Sequence, residues 1–491
     1  MEKVLFIIYN LLLLFLFPFF FIAMLILALT KNKKSEGFVY KFFPSLFKPL
    51  KNVSFKGGVW IHAVSLGEIR ASVYFIELLQ SSRFKKVFLS ATTKTGYEFA
   101  KNKYKNDGGV SVFYFPYDFY FSIKNILKII SPSLFVSMET EIWPNLFSAL
   151  NEKKISIAII NARISDKSYK HYLKLSFFFR RIFKKINLVL CMSENYKDKF
   201  INLGVPEENV KATGNMKFDL NIGLVSKDIE EKSEKLKKIF NKGKIVAAGS
   251  THAGEEELII SAVSKINEKY KENKAYLFIA PRHPERFGEV SALLERRGFK
   301  HARLSSIYSG EFCGKAGAGS GGVMPEENVG AVNFGSGHGG QFEENGGEVN
   351  FSGGGGDSIP GLKLGTHIVL VDLMGELLTV YSICNAAFVG GSMVNAGGHN
   401  ILEPLFFGKP VIFGNYIQNF SEIAQEIVDV KAGRIVSSPQ ELYDALVYYI
   451  YDENASEEAS KNGTALLSQN KGITRKNLDF LARYFGNGNH A

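Results

Sequence analysis

The first residues with the chemistry of a reactive site lie in the run HAVSLGEIR, where Glu68 stands between a predicted strand and a predicted helix. Unpaired N–H groups and the helix dipole favour an ionised carboxylate at a helix amino terminus. Such a carboxylate can accept a proton from an attacking hydroxyl. The same position suits a glutamate that only caps the helix, and His62 in this run suits a buried core histidine. The motif therefore predicts either a general base or a helix cap at Glu68.

A second acidic motif, METEIWPN, follows the predicted strand at 134–138 and contains Glu139 and Glu141. Carboxylates at that edge can stabilise positive charge that develops on a reacting sugar carbon. They can equally cap the next helix, which would have Pro144 in its first turn. Lys217, in the run GNMKFD, can neutralise a phosphate or simply lie at the surface. Both alternatives stay open for each residue.

Polar loops follow several strands in the second half of the chain. They are GSTHAGE at 249–255, PRHPER at 281–286, MGEL at 374–377, GGS at 390–392 and GGHNILEP at 397–404. Helix amino termini and glycine turns offer N–H groups to anions, and Arg282 can hold a phosphate with its planar fork. Each loop is weak evidence by itself. Together the five predict a nucleotide-phosphate pocket in which Glu403 can bind ribose hydroxyls.

Metal and disulfide chemistry receive little support from the sequence. It lacks a P-loop, an HExxH motif and an Asp-x-Asp pair. His252, His283 and His399 could converge on a metal, but each has a simpler role in a polar loop, so we predict no metal site. The three cysteines stand far apart, which excludes a disulfide framework and a zinc ribbon. They are Cys191, Cys313 and Cys384.

Alternating strand and helix signals must position these motifs. Predicted strands cover 58–65, 86–93, 134–138, 155–162, 187–193, 244–250, 275–283, 367–372, 386–392 and 409–414. Near-continuous apolar strands alternating with helices are typical of a doubly wound α/β fold, with ligands at the carboxyl ends of the strands. A length of 491 residues, 46% of them hydrophobic, predicts two domains. The charged stretch at 228–244 sets the boundary, giving domains at 31–227 and 228–491 that face each other across a cleft.

The amino-terminal 30 residues predict a membrane anchor. No charged side chain occurs from Val4 to Thr30, and about 20 apolar residues suffice to cross a bilayer. A cleaved signal peptide and a helix lying in the interface, or kinked at Pro18, are the alternatives. Lysines directly follow the apolar run, which favours a cytoplasmic location for the rest of the chain. The basic stretch 31–56 suits contact with an anionic membrane leaflet. The net charge of +11 fits a membrane or an anionic substrate, whereas nothing specific points to nucleic acid.

A glycine-rich segment interrupts the second domain. Between Gly310 and Gly361 lie 18 of the 46 glycines, without apolar periodicity. Such a composition cannot bury enough surface to offset its ordering entropy. We therefore predict a disordered insertion at 310–361.

The ordered series of motifs resembles one family. HAVSLGEIRAS, METEIWPNL, INARIS, GNMKFD, AAGSTHAGEEE, APRHPER, MGEL and GGHNILEPLFFGKPVIFG occur in this order. This set is similar to the 3-deoxy-D-manno-oct-2-ulosonic acid (Kdo) transferases of lipid A assembly, over the chain apart from the insertion. The resemblance implies a GT-B fold and a metal-independent, inverting transfer of Kdo from CMP-Kdo to a lipid A precursor at the cytoplasmic face of the inner membrane, with no cofactor.

The resemblance also implies residue roles. It makes Glu68 the general base, Glu139 the carboxylate that stabilises the transition state and Lys217 the lysine that does so. The implied CMP-Kdo contacts are Pro281, Arg282, Met374, Gly375, Glu376, Asn400, Ile401, Leu402 and Glu403. The chain departs from the family at Met393–Ala396, before the GGHN motif, and in the glycine-rich insertion. A transferase using another nucleotide sugar and a non-catalytic lipid- or nucleotide-binding protein are the alternatives.

Overall fold

The chain folds into two compact units, seen in a computed structural model. It describes residues 2–29, 37–46, 57–82, 84–219, 227–241, 243–309 and 367–486. The first unit comprises Met1–Leu224 with Leu467–Ala491, and the second comprises Val225–Leu466. Each contains a seven-stranded sheet in which every pair of neighbouring strands is parallel. The predicted α/β class is confirmed, whereas the predicted insertion at 310–361 lies outside the described residues.

The first sheet has the strand order β3-β2-β1-β4-β5-β6-β7. Its strands are β1 Val59–Ala63, β2 Val87–Ala91, β3 Val110–Tyr114, β4 Leu134–Met138, β5 Ser156–Ala162, β6 Leu188–Cys191 and β7 Val210–Ala212. Its helices are Phe38–Phe42, Leu66–Gln80, Lys94–Lys103, Tyr120–Ile130, Pro144–Glu152, Asp166–Lys174, Ser176–Phe183 and Glu194–Leu203. Every residue of β1, β2 and β4 is buried, as expected for a parallel sheet covered on both faces. The carboxyl ends of β1 and β4 are adjacent, which brings the two acidic motifs to one edge.

The second sheet has the order β10-β11-β9-β8-β12-β13-β14. Its strands are β8 Lys244–Thr251, β9 Ala275–Pro281, β10 His301–Arg303, β11 Ile368–Leu370, β12 Ala386–Val389, β13 Val411–Phe413 and β14 Gly433–Ile435. Its helices are Lys227–Ile239, Glu255–Lys269, Phe287–Arg296, Leu304–Ser309, Leu377–Ile383, Leu402–Phe406, Ser421–Asp429, Pro439–Tyr451 and Glu453–Gln469. All five polar loops predicted for a nucleotide follow strands of this sheet.

The carboxyl terminus departs from the predicted domain 228–491. The last helix, Ile473–Gly486, belongs to the first unit, where Leu478 and Leu481 join the hydrophobic core. Asp219 fixes this return, because its carboxylate accepts hydrogen bonds from the N–H groups of Gly472 (2.8 Å) and Thr474 (2.6 Å). The sequence-based boundary near residue 228 falls close to the observed division, but the chain crosses back near residue 467.

The amino-terminal apolar segment forms one helix, Glu2–Leu29, with Pro18 inside it. Its stretch Val4–Leu27 is long and apolar enough to cross a membrane by length and composition. One face packs on the first unit, where Phe17 and Phe21 surround the fully buried Phe42. The other face is exposed, with Phe15 at 68% and Phe19 at 64%. The helix is therefore compatible with a membrane anchor that also docks along the protein.

Candidate active site

Glu68 lies in the first turn of helix Leu66–Gln80, and the local contacts explain its place. Ser65 is the N-cap residue, and its hydroxyl accepts from the Glu68 N–H. In return, the Glu68 Oε1 accepts from the Ser65 hydroxyl at 3.0 Å, and Oε2 accepts from the Val64 N–H at 2.7 Å. This reciprocal arrangement resembles a capping box. The side chain thus does cap the helix, and the same contacts hold its carboxylate in one orientation.

Glu139 is the first residue after β4, and its backbone is left-handed, with φ of 56°. This conformation is uncommon for a residue with a Cβ and concentrates at functional sites. The Glu139 side chain forms an ion pair with Arg163, whose Nε donates a hydrogen bond to Glu139 Oε2 at 2.7 Å. The Lys217 ammonium lies 3.7 Å from the other carboxylate oxygen, Oε1. The two predicted residues Glu139 and Lys217 therefore do come together.

Arg163 is the functional candidate that sequence reasoning missed. It lies in the INARIS motif, which carried the family resemblance but received no role. The residue stands just after β5, the strand next to β4, so strand adjacency was the available signal. Its Nε hydrogen bond to Glu139 makes it part of the same charged group.

Lys217 is held in place by the neighbouring loop. Its side chain is 11% exposed, and its N–H donates to the Asn215 side chain at 3.0 Å. The preceding Met216 N–H donates to Asn161 Oδ1 at 2.8 Å. Asn161 is fully buried and left-handed at φ of 54°, where the β5–β6 register shifts. The lysine is therefore a buried, positioned cation and not a surface lysine.

Three carboxylates share this edge, and burial together with nearby negative charge raises the pKa of two of them, Glu68 and Glu141. Burial, followed by the charge of Glu139, raises the pKa of Glu68 to about 7, although hydrogen bonds from Val64 and Ser65 oppose the shift. Burial and the charge of Glu68 raise the pKa of Glu141 to about 7. A carboxyl with a pKa near the operating pH is suited to general acid–base chemistry.

His62 is a buried core histidine, as predicted from the sequence. It is fully buried, its ring stacks on Phe115 with 3.6 Å between centroids, and burial lowers its pKa to about 3. Its Nδ1 lies 3.1 Å from the Ser90 hydroxyl. A neutral imidazole packed in this way is part of the hydrophobic core around the first sheet.

The second unit contains an internal carboxylate that changes the predicted phosphate pocket. Glu255 is fully buried, and its oxygens accept N–H groups from Gly391 (2.8 Å), Ser392 (3.0 Å) and Met393 (2.9 Å). A fourth bond comes from the His252 N–H at 2.9 Å. In the GGS turn, one of the five loops of the predicted pocket, a side chain of the protein therefore occupies the N–H groups of Gly391 and Ser392.

Replacing Glu255 should therefore damage the second unit as a fold. In Glu255→Gln, the amide NH₂ would face N–H donors that now contact a carboxylate oxygen. We expect the free energy of unfolding to fall by about 2–4 kcal/mol, the scale of losing charged hydrogen bonds at a buried site. Chemical denaturation measures this, with Glu268→Gln on the exposed face of the same helix as the control. A loss in Glu255→Gln no larger than in the control would contradict the bracing role.

Two arginines of the PRHPER loop have different surroundings. Arg286 pairs with the fully buried Glu256, with Nη1 2.6 Å from Oε1 and Nη2 3.3 Å from Oε2. Arg282 is half-buried, and its N–H donates to the Thr251 carbonyl at 3.0 Å. Within the described ranges its guanidinium makes no ion pair. Pro281, which is also predicted to contact CMP-Kdo, is buried at the end of β9.

The MGEL loop contains one exposed side chain, Met374, and one buried side chain that already has hydrogen-bond partners, Glu376. Met374 is 69% exposed, and Gly375 adopts a left-handed φ of 90°. Glu376 is buried, and its carboxylate contacts the Lys232 ammonium at 2.7 Å and the Tyr308 hydroxyl at 2.9 Å. A ligand reaching Glu376 would therefore have to compete with existing partners.

The GGHNILEP loop is organised by its own side chains. The Asn400 amide donates to Glu403 Oε1 at 3.1 Å, and Asn400 Oδ1 accepts the Leu402 N–H at 3.2 Å. Ile401 and Leu402 are fully buried. Their side chains are therefore closed to a ligand, whereas half-buried Asn400 and Glu403 can offer side chains.

The three histidines considered as metal ligands do approach one another. The His252 and His399 Nε2 atoms are 2.8 Å apart in nearly parallel rings, and His283 packs edge-on to His252. Among the described residues, however, no group of three His, Cys, Asp or Glu side chains is arranged to hold a metal ion. The three imidazole rings instead pack against one another within the polar loops.

Two units, each built on a parallel seven-stranded sheet, define the GT-B fold of a glycosyltransferase. A solved glycosyltransferase from Rickettsia africae shares the fold with a TM-score of 0.50 and 14% identity, covering 88% of this chain and 99% of that one. A sequence model described as 3-Deoxy-D-manno-octulosonic-acid transferase (kdotransferase) matches residues 31–220. A 3-deoxy-D-manno-octulosonic acid transferase from Haemophilus influenzae is 32% identical over 432 residues, 87% of each chain. The chain belongs to this family of Kdo transferases.

A second relative is longer than this chain. The bifunctional glycosyltransferase/methyltransferase of Fusobacterium nucleatum is 34% identical over 430 residues, which cover 87% of this chain and 57% of that protein. The chain thus spans little more than half of that relative.

Proposed function

We propose that the protein transfers Kdo from CMP-Kdo to a hydroxyl of a lipid A precursor, with inversion and with Glu68 as the general base. The observation that carries this proposal is the Glu68 carboxylate, held by two hydrogen bonds and with its pKa raised to about 7. Family membership supports the donor, and the apolar amino-terminal helix supports a lipid acceptor at a membrane.

The helix-cap contacts of Glu68 are compatible with catalysis. Each carboxylate oxygen accepts one hydrogen bond and retains acceptor capacity for a substrate hydroxyl. Ionised Glu68 would take the hydroxyl proton as the acceptor oxygen attacks C2 of the donor sugar. The raised pKa makes the carboxylate a stronger base than an ordinary glutamate while leaving it substantially ionised at neutral pH.

Glu139, Lys217 and Arg163 would supply fixed charge at the reacting centre. As the bond to CMP breaks, C2 gains oxocarbenium character and the leaving phosphate gains negative charge. The Glu139 carboxylate can stabilise the first and the Lys217 ammonium the second, because both are held in a partly buried network before reaction. Arg163 would act through Glu139, whose carboxylate it orients.

The second unit would bind the donor, with Arg282 as its principal phosphate contact. CMP-Kdo has a single phosphate, so one guanidinium and one ammonium can replace the metal clamp of a diphosphate donor. Asn400 and Glu403 would contact the nucleoside, and Met374, Gly375 and Glu376 would line the same site. Pro281, Ile401 and Leu402 would shape it from positions with buried side chains.

The protein would work at the cytoplasmic face of the inner membrane. Helix Glu2–Leu29 would anchor it, and the lysines that follow the helix would face the anionic leaflet. This location would bring a membrane-resident acceptor to the catalytic edge.

Arg282→Ala should weaken donor binding. Loss of a charge-assisted contact to phosphate is expected to raise the Kd for CMP roughly 10- to 100-fold. Calorimetric titration with CMP measures this. Arg297→Ala, at the exposed end of helix Phe287–Arg296, is the matched control and should change the Kd less than about twofold. Equal affinities in wild type and Arg282→Ala would remove Arg282 from the donor site.

The proposed reaction is tested by offering alternative donors. The protein in detergent micelles receives a tetraacylated lipid A precursor with CMP-Kdo, a UDP-sugar or a GDP-sugar in separate reactions. Product should form with CMP-Kdo alone, and its anomeric configuration by NMR should be inverted. Transfer from a UDP- or GDP-sugar instead would contradict the donor assignment. Binding of CMP without any transfer would favour a non-catalytic binding protein.

A further inference from the structure

The apolar amino-terminal helix carries two adjacent polar residues, and both contact the remainder of the first unit. The Tyr9 hydroxyl donates to Asp118 Oδ2 at 3.0 Å. Asn10 and Asn145 exchange two amide hydrogen bonds, each of 2.9 Å. A membrane anchor has no need of such groups, because polar side chains lower the affinity of a helix for lipid. Their contacts therefore suggest a role on the protein side of the helix.

Asp118 and Asn145 together start the helix Pro144–Glu152. The Asp118 carboxylate accepts the N–H groups of Asn145 and Leu146, both at 2.9 Å, and so caps this helix from another segment. Trp143, in the N-cap position, supplies no side-chain cap. The Asn145 amide also donates to the Asp118 carbonyl at 2.6 Å. Tyr9 and Asn10 thus contact the two residues that fix where this helix begins.

The same helix start is the far end of the loop that carries Glu139 and Glu141. The loop leaves β4 at Met138 and enters this helix at Pro144. Its β4 end is held by the Glu139 N–H, which donates to the Ile160 carbonyl at 2.9 Å, and by the Arg163 hydrogen bond, whereas the helix start supports its far end. Asn145 is 3% exposed and is therefore held firmly in place. Only five residues of backbone separate it from Glu139, so a displacement of Asn145 would displace the loop. Ring contacts keep the anchor helix against this region, since Phe6 and Tyr9 each pack on Phe178 with centroids 5.6 Å apart.

We propose that Tyr9 and Asn10 are positioning residues, through which the docked anchor helix holds the carboxylate loop in its catalytic geometry. This role rests on the function proposed for Glu139. It makes the helix a part of the enzyme's catalytic support as well as its attachment to lipid. Release of these contacts would lower turnover without weakening the attachment.

Asn10→Leu and Tyr9→Phe test the proposal in the full-length protein. Both changes make the helix more apolar, so neither should weaken membrane association. We expect each to lower kcat roughly five- to tenfold, the scale of losing a partly buried hydrogen bond, with KM for the lipid acceptor within about twofold. Leu14→Ala, on the exposed face of the same helix, is the control and should leave kcat unchanged. Values of kcat within twofold of wild type for both polar variants would overturn the proposal.

A double-mutant cycle separates the contact from general destabilisation. If Asn10 and Asn145 act through their mutual hydrogen bonds, the pair Asn10→Ala and Asn145→Ala should lower kcat no more than the larger single change. Fully multiplicative losses would show that the two residues act independently and would overturn the proposal.

The emission of Trp143 provides a readout that needs no substrate. The chain has two tryptophans, and Trp60 is fully buried in the first sheet, where it gives a constant background. Asn10→Leu should shift the Trp143 emission as the loop loses its fixed end, and Leu14→Ala should not. Unchanged emission in Asn10→Leu would overturn the coupling even if wild-type protein proved inactive toward CMP-Kdo. Failure of the proposed reaction is thereby distinguishable from failure of this inference.

Discussion

Glu68→Gln is expected to lower kcat for Kdo transfer by at least about 10²-fold while changing the affinity for CMP-Kdo less than about twofold. Glutamine has the shape of glutamate, and its carbonyl oxygen can still accept the Val64 N–H. It cannot accept a proton from an attacking hydroxyl. Initial rates with saturating donor, together with calorimetric donor binding, measure the two quantities. A variant that keeps more than a tenth of the wild-type kcat would exclude Glu68 as the base.

Ser65→Ala distinguishes capping from catalysis. It removes the N-cap hydroxyl that exchanges hydrogen bonds with Glu68, at an expected cost of about 1 kcal/mol in stability. If Glu68 were only a cap, its substitution and that of Ser65 should have similar effects on activity. We expect the loss of kcat in Glu68→Gln to exceed that in Ser65→Ala by at least about tenfold.

Glu139→Gln should be the second most damaging change, with kcat reduced by about 10²-fold, the scale of removing one preorganised electrostatic group from a transition state. The substitution removes the negative charge that Arg163 and Lys217 contact. Donor affinity should be less affected, because the proposed donor contacts lie in the second unit. A kcat within threefold of wild type would contradict the role of Glu139.

The same variant should shift the pH dependence of the reaction. In wild type, Glu68 has a raised pKa of about 7, so the base is protonated and inactive below that pH, and the rate rises as pH passes through 7. Removal of the Glu139 charge takes away a cause of the raised pKa, and the nearby positive charge of Arg163 continues to favour ionised Glu68. The residual rate of Glu139→Gln should therefore begin to rise at a lower pH. An unchanged or higher midpoint would show that Glu139 does not influence Glu68.

The sequence predicted the centres of both sheets and missed their edges. The strands without a prediction were β3, β7, β10 and β14, and these are the four edge strands. A central strand is buried on both faces and leaves a continuous apolar run, as β1 does. An edge strand is partly exposed and short: β10 is the three residues His301–Arg303 with none buried. Apolar runs therefore report position within the sheet as much as strand formation.

Tertiary contacts explain the site residues that sequence reasoning did not assign. Arg163 and Glu139 are 24 positions apart and meet only because β4 and β5 are neighbours. Glu255 lies 136 positions from Gly391, whose N–H it accepts, and a run of three glutamates gave no sign of which one would accept it. The return of helix Ile473–Gly486 depends likewise on Asp219, which lies far away in the chain. Spacing within a motif cannot report such partners.

The most direct test is the transfer of Kdo from CMP-Kdo to a tetraacylated lipid A precursor by wild type and Glu68→Gln, with products resolved by mass. Both proteins should bind CMP, so that a loss of product reports chemistry and not folding. We predict Kdo-bearing product from wild type, with the mass increments counting the Kdo units, and at least about 10²-fold less from Glu68→Gln. Absence of product from folded, CMP-binding wild type, or equal product from both proteins, would contradict the proposed reaction or the proposed base, respectively.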